Sequence, residues 1–358
     1  MAEAKGSHHR SELTTTAGGA NQKNLKQAFI NHGKRVIIDT DPGVDDALAL
    51  FLALSSPELR VEAITTVNGN VRLEQATKSA ALLLDLFDPQ PRPILARGAA
   101  QPLGKRFIRA QSVHGSDGMG ELNRFRNTDG SPRYPYPRLP QDIPDATEVM
   151  LDFLKRYPDE LDLITLGPLT NLARALEADE KRVKALRGVV VMGGAIGVPG
   201  NITPAAEFNV FVDPHAAQRV FRSGLPIKLV PLDVTEKVRL EPVEIKNLGQ
   251  SMDKPLGRFV CDVTAKAIEH MEHVRGMSAV LLHDPLAVGV AIDPSMVRTS
   301  LVHVDVETHE GITQGMTLAD LRPMRDDLKQ PPNLHVALEV AAERFLSFFK
   351  ERLCPRSL

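Results

Sequence analysis

The densest chemistry in the chain is Asp39-Thr40-Asp41-Pro42-Gly43-Val44-Asp45-Asp46, four carboxylates in eight residues. The apolar run Arg35–Asp39 precedes it and the helical pattern Asp46–Leu54 follows, so the acids fall where a strand hands over to a helix. A helix start favours one or two acids through its dipole and capping. Four like charges packed together are unfavourable unless a cation neutralises some of them. Oxygen ligands without His or Cys suit a hard cation, Ca²⁺ or Mg²⁺, rather than zinc. An EF-hand is excluded because Gly43 stands at the fifth position, where a ligand is needed. A phosphohydrolase of the D-x-D-x-[TV] type begins in the same way, but Gly43 replaces the Thr or Val.

A second group of residues could bind a polar ligand. Asn70 follows Gly69 after a β-branched run, which is also how a turn is built. Glu207 and Asn209 flank Phe208, and a strand there would put both on one face. Asp284 sits between His283 and Pro285, where it could equally cap a helix. His114 lies in the glycine-rich stretch Val113-His114-Gly115-Ser116-Asp117-Gly118-Met119-Gly120, typical of a mobile loop and also of a surface turn. His270, His273 and Arg275 sit on a helical stretch, Gly257–Arg275, that interrupts the strand–helix alternation and is placed to overhang a cleft; all three are expected to face solvent.

Several elements must position these groups. Candidate strands are Arg35–Asp39, Val61–Val67, Leu161–Leu166, Val189–Met192 and Ile227–Pro231; candidate helices are Asp46–Leu54, Leu73–Phe87, Thr147–Tyr157, Leu169–Ala178 and Pro214–Ser223, with a last helix over Val336–Arg352. Asp213 followed by Pro214 is a strong helix start. Such alternation implies an α/β fold, a mainly parallel, open twisted sheet with helices on both faces. Ligands of such sheets bind beyond the carboxyl ends of the strands, where the acidic cluster falls.

The chain has 358 residues, 42% hydrophobic and 25% charged, with a net charge of −2. This composition supplies a large core and argues against a protein that coats nucleic acid. Cys261 and Cys354 cannot form a disulfide framework. No apolar run approaches the roughly 20 residues that span a bilayer, and the N-terminus lacks a signal core. A soluble cytoplasmic enzyme is expected, with residues 1–33 a flexible tail, 34–358 one domain, and the proline-rich stretch 123–146 a surface excursion with five prolines.

The string DTDPGVDDALA resembles the N-terminal signature of the inosine–uridine-preferring nucleoside hydrolase family. The resemblance continues in order through Val67-Asn68-Gly69-Asn70, Leu166-Gly167-Pro168-Leu169-Thr170-Asn171, Met192-Gly193-Gly194, Asn201, Glu207-Phe208-Asn209-Val210, Asp213-Pro214 and His283-Asp284-Pro285, spanning Asp39 to Asp293. It implies a Ca²⁺ ion at the bottom of a nucleoside pocket, held by Asp41, Asp46, Asp284 and the main-chain oxygen of Leu166. It also implies Asp41 as general base and His283 as leaving-group acid. Asp45, Asn70 and Asn209 would bind the 2′- and 3′-hydroxyls, Asn201 and Glu207 the 5′-hydroxyl, with Phe208 as an apolar wall and His114 near the base. The implied reaction is hydrolysis of a ribonucleoside to base and ribose through an oxocarbenium-like state. A homodimer or homotetramer is implied, with no nucleic-acid or membrane partner. The chain has no Trp, whereas purine-specific relatives stack the base on rings that include Trp; uridine and inosine are therefore the expected substrates. Alternatives are a purine- or modified-nucleoside-specific member, a metal-dependent phosphohydrolase, and a non-catalytic nucleoside-binding module. The last would follow from loss of Asp41 or another ligand, and none is lost.

Overall fold

Val36, Ile37 and Ile38 are buried on both faces of a sheet, which explains why the first strand reads as a continuous apolar run rather than an alternating one. The structure is a computed structural model describing residues 33–104 and 114–354. The expected tail therefore lies outside the described residues except for Gly33, as does Val113 of the glycine-rich loop.

Strands β1 (Lys34–Thr40), β2 (Leu59–Thr66), β3 (Ile94–Arg97), β4 (Leu161–Thr165), β5 (Gly188–Met192) and β6 (Ile227–Val230) run parallel. The helices between them are α1 (Val44–Leu54), α2 (Leu73–Phe87), α3 (Ala146–Arg156), α4 (Thr170–Val183), α5 (Phe208–Val212) and α6 (Pro214–Phe221). Beyond β6 come α7 (Leu232–Thr235), β7 (Arg239–Leu240), α8 (Pro242–Ser251), α9 (Lys254–Arg275), β8 (Val280–Leu281) and α10 (His283–Ile292). The chain ends with β9 (Val297–Val302), β10 (Val304–Val306), β11 (Thr317–Ala319), β12 (Leu334–Val340) and α11 (Ala342–Leu353).

The main sheet has eight strands in the order β3-β2-β1-β4-β5-β6-β12-β9, parallel except for β9 against β12. Val36 and Ile38 of β1 face a core that includes α1, α2, α9, α10 and α11. Ile37 faces the opposite one, with α3, α4 and α6. The expected α/β class with helices on both faces is thus observed. Strand order reverses between β1 and β4, the place where a crevice opens at the carboxyl edge of a doubly wound sheet. Leu166 N donates to Asp39 O at 2.8 Å and carries the pairing up to this edge.

Helix α1 is apolar on every side and is buried among α9, α10 and α11, so its only polar groups, Asp45 and Asp46, are forced to the crevice at its first turn. No described helix is long and apolar enough to cross a membrane.

Two expectations are corrected. The last helix begins at Ala342, and Leu334–Val340 is a strand inserted between β6 and β9. Its Ala, Leu and Glu residues favour helix, but pairing on both sides overrides that preference. Glu207 and Asn209 are not strand neighbours; Glu207 is the N-cap of α5, its carboxylate accepting from Asn209 N and Val210 N. β3 and β9, short or peripheral strands with weak apolar runs, are not among the expected strands. The proline-rich stretch does not hang unattached: Tyr134 Oη donates to Asp262 of α9 at 2.9 Å, and its ring packs edge-on against Phe259, 5.6 Å between centroids.

Candidate active site

Asp41 follows β1 directly, Asp45 and Asp46 open α1, and Asp284 lies in the first turn of α10. One carboxylate oxygen from each of Asp45, Asp46 and Asp284 falls within 4.8 Å of the others. Asp41 lies outside that tight trio yet feels its charge: burial first, then Asp46 and Asp45, raise its pKa well above the usual carboxylate range. Burial likewise raises Asp284, followed by repulsion from Asp45, Asp46 and Asp41. Asp45 is pushed up to about 6 by burial.

Asp46 and Asp41 are tied to the backbone around them. Gly43 N donates to Asp46 Oδ2 at 2.8 Å, and the Thr40 hydroxyl donates to Asp46 Oδ1. Asn70 N donates to Asp41 Oδ2 at 2.5 Å, while the Asn70 amide nitrogen reaches Asp46 Oδ2 at 3.3 Å. Asp41 Oδ1 is buried and has no hydrogen-bond partner among the described residues. An orphaned carboxylate oxygen beside three clustered carboxyl groups, with an all-oxygen donor set, fits a hard divalent cation.

The cleft above these acids has a volume of about 370 Å³, within the range of small-molecule sites. Asp45, Asn70, His114, Leu166, Asn201, Glu207, Phe208, Asn209, His283 and Asp284 all line it. Every ligand-facing residue expected from the sequence is therefore on this wall except Asp41 and Asp46, which lie buried beneath it. Asn209 Nδ2 donates to Leu166 O at 2.7 Å, which leaves its Oδ1 to accept from a ligand hydroxyl. The carbonyl of Leu166 has a second lone pair for a cation. Glu207 also accepts from Gly194 N at 2.9 Å, so the cleft wall is braced across β5 and α5. Asn201 Oδ1 accepts from Phe208 N at 2.9 Å and fixes the Phe208 ring position.

His114 Nδ1 accepts from Val44 N at 3.1 Å, which places the proton of the neutral ring on Nε2. Burial lowers its pKa to about 4. His283 Nδ1 lies 2.7 Å from Thr235 Oγ1, and burial, then Arg275 and His114, lower its pKa to about 3. His273 and Arg275 are exposed and His270 is half-buried, and His270 and Arg275 also line the cleft. Helix α9 leans over the opening because Ala267 and Met271, on the same face as His270 and Arg275, are buried there; Arg275 also pairs with Glu236 at 2.9 Å.

Sequence reading assigned no role to Asn171 or Thr235. Asn171 Nδ2 donates to Asp39 Oδ1 at 2.7 Å and its Oδ1 accepts from Ala99 N at 2.7 Å, so it ties β1, β3 and α4 together beneath the acids. Its place in the Gly167–Asn171 turn was the available signal. Thr235 carried none, being an unremarked residue between two apolar stretches.

Gly69 has a specific reason to be glycine: a Cβ there would lie 1.9 Å from Asp41 Oδ2. Gly69→Ala is expected to displace the Asp41 carboxylate and to lower kcat about a hundredfold, the size of a 1 Å misplacement in a catalytic site. Steady-state kinetics checks this; wild-type kcat would show that the loop gives way instead.

The model of a family described as inosine-uridine preferring nucleoside hydrolase matches residues 36–347. A pyrimidine-specific ribonucleoside hydrolase of Salmonella agona, RihA, is 36% identical over 319 residues, covering 89% of this chain and 97% of its own. Among solved structures, the plant nucleoside hydrolase PpNRh1 superimposes with a TM-score of 0.80 at 35% identity, covering 90% of this chain and 99% of that one. A purine-preferring ribonucleoside hydrolase from Gardnerella vaginalis gives a TM-score of 0.79 at 33% identity, covering 90% and 98%.

Proposed function

The chain belongs to the inosine–uridine preferring nucleoside hydrolase family and is a ribonucleoside N-glycosidase; within that activity we propose Ca²⁺-dependent hydrolysis of uridine and inosine to free base and ribose. The observation that carries the reading is the single cleft in which an orphaned buried Asp41 oxygen and three clustered carboxylates underlie a wall of hydroxyl-binding side chains.

Asp46, Asp284, Asp41 and the Leu166 carbonyl would hold the cation. A divalent ion there supplies Lewis acidity that orients a water molecule and lowers its pKa. Asp41 takes the proton from the attacking water with its Oδ1, the oxygen that no protein donor occupies. Asp45, Asn70 and Asn209 grip the 2′- and 3′-hydroxyls and hold the anomeric carbon over Asp41; Asn201 and Glu207 receive the 5′-hydroxyl. Phe208 excludes water from one side of the sugar, and His114 presents Nε2–H towards the base.

His283 assists departure of the base. In the cleft its ring is neutral because burial and the Arg275 charge disfavour imidazolium. A leaving base that gathers negative charge against the ring reverses that balance and draws the proton onto it. His283→Ala is expected to lower kcat for uridine by about 10²- to 10⁴-fold, as loss of general acid catalysis does. It should barely affect a nitrophenyl riboside, whose leaving group needs no proton. Equal losses on the two substrates would refute the acid role.

The absence of Trp, and Phe208 as the one Phe, Tyr or Trp among the described residues that line the cleft, support uridine and inosine over a purine-specific site. Incubation of the purified chain with uridine, inosine and nitrophenyl phosphate, with and without chelator, tests the whole reading. Base and ribose in equal amounts, suppressed by chelator, support it. Phosphate release, or binding without turnover, would replace it with a phosphohydrolase or a binding module.

A further inference from the structure

A second cavity, of about 1190 Å³, is not the nucleoside cleft and shares no lining residue with it. It opens at the carboxyl ends of β2 and β3, where Asn68 and Arg72 line it while Asn70, on the same loop, faces the nucleoside cleft.

Asn68 is 3% exposed, and neither its Oδ1 nor its Nδ2 has a hydrogen-bond partner among the described residues. Its backbone N–H is satisfied, donating to Ala99 O at 3.0 Å, so the unmet groups belong to the side chain of this cavity-lining residue. Buried amides are rarely left unpaired on both atoms, and such a group points to a ligand that supplies a donor and an acceptor. The cavity charge is positive. Lys78 and Glu74 pair with each other at 2.7 Å, leaving Arg72 and Arg97, neither of which forms an ion pair among the described residues. Arg97 Nε is itself buried without a partner. Arg72 is the N-cap of the fifteen-residue helix α2 and provides no side-chain cap, so the first-turn N–H groups at Leu73 and Glu74 open towards the same space. A helix N-terminus with two arginines and an unpaired amide is suited to a phosphoryl group.

We propose that this cleft binds a phosphorylated small molecule, with its phosphoryl group between Arg72 and Arg97 at the start of α2 and its polar body against Asn68. The cavity is larger than bare phosphate requires, which favours a phosphorylated sugar over the inorganic ion.

The test uses titration calorimetry of the full chain with inorganic phosphate, glucose 6-phosphate and glucose at constant ionic strength. Saturable binding of one glucose 6-phosphate, tighter than phosphate and absent for glucose, is expected. Arg72→Gln and Arg97→Gln should each weaken it about tenfold, equivalent to about 1.4 kcal/mol. Nucleoside hydrolysis measured on the same preparations should be unchanged, which verifies the fold and separates this outcome from failure of the hydrolase reading. If Arg97→Gln loses hydrolysis, the change at the exposed Arg72 alone decides. No saturation up to about 10 mM, tenfold beyond a millimolar Kd, would overturn the proposal. Undiminished binding in the variants would also overturn it, leaving an adventitious ion only.

Discussion

Asp41→Asn is expected to lower kcat for uridine by about 10³- to 10⁴-fold, combining the loss of a general base with a weakened cation site. Asparagine preserves the size of the side chain, and its oxygen can still accept from Asn70 N, the bond that Asp41 makes at 2.5 Å. The fold beneath it should therefore persist, since Asp39, Asn171 and Thr65 form a separate buried network. What disappears is the negative charge and the unpartnered Oδ1. Burial and the neighbouring acids raise the pKa of Asp41, because each ionised carboxylate raises the cost of the next. A cation among them inverts this, so proton acceptance and cation binding rise and fall together. Steady-state kinetics with parallel measurement of bound metal separates the two contributions. A variant that keeps more than about a tenth of wild-type kcat would remove Asp41 from the base role, since general base catalysis is worth at least a hundredfold.

2′-Deoxyuridine is expected to be a poorer substrate than uridine by about 10⁴-fold in kcat/KM. The cleft is lined with groups that require hydroxyl partners: Asp45, Asn70 and Asn209 line it, and the amide nitrogen of Asn209 is already committed to Leu166 O. Removing one substrate hydroxyl leaves such groups buried and unpaired, a heavier penalty than losing a methylene from an apolar pocket. Competition between the two nucleosides in one reaction measures the ratio directly. Rates within about tenfold would show that these side chains do not grip the 2′-hydroxyl.

The acids, the asparagines and the glutamate were legible in sequence because each sits at a strand end or helix start, where local pattern and topology coincide. Leu163, Ile164 and Val190 likewise mark buried parallel strands by composition alone. The rest depends on distant contacts. Leu334–Val340 carries helix-favouring residues but is held extended by β6 and β9. The local conformation of Glu207 was not legible because alternation with Asn209 over three positions cannot distinguish a strand from a helix cap. The approach of His270 and Arg275 to the cleft was not legible because it depends on how α9 packs along its length, through Phe259, Val260, Val263, Ala267 and Met271. The second cleft was invisible for a similar reason: Asn68 and Arg72 lie on the loop between β2 and α2, Arg97 ends β3, and only the parallel pairing of β2 with β3 brings them together.

The site claim rests on a cation shared by side chains from β1, α1 and α10. Its most direct test is a calcium titration of chelator-stripped protein in which bound ion and uridine turnover are followed in the same samples. Turnover should begin near zero and rise in proportion to occupancy, levelling at one ion per chain. Full turnover by stripped protein, or calcium uptake that leaves the rate unchanged, would contradict the account.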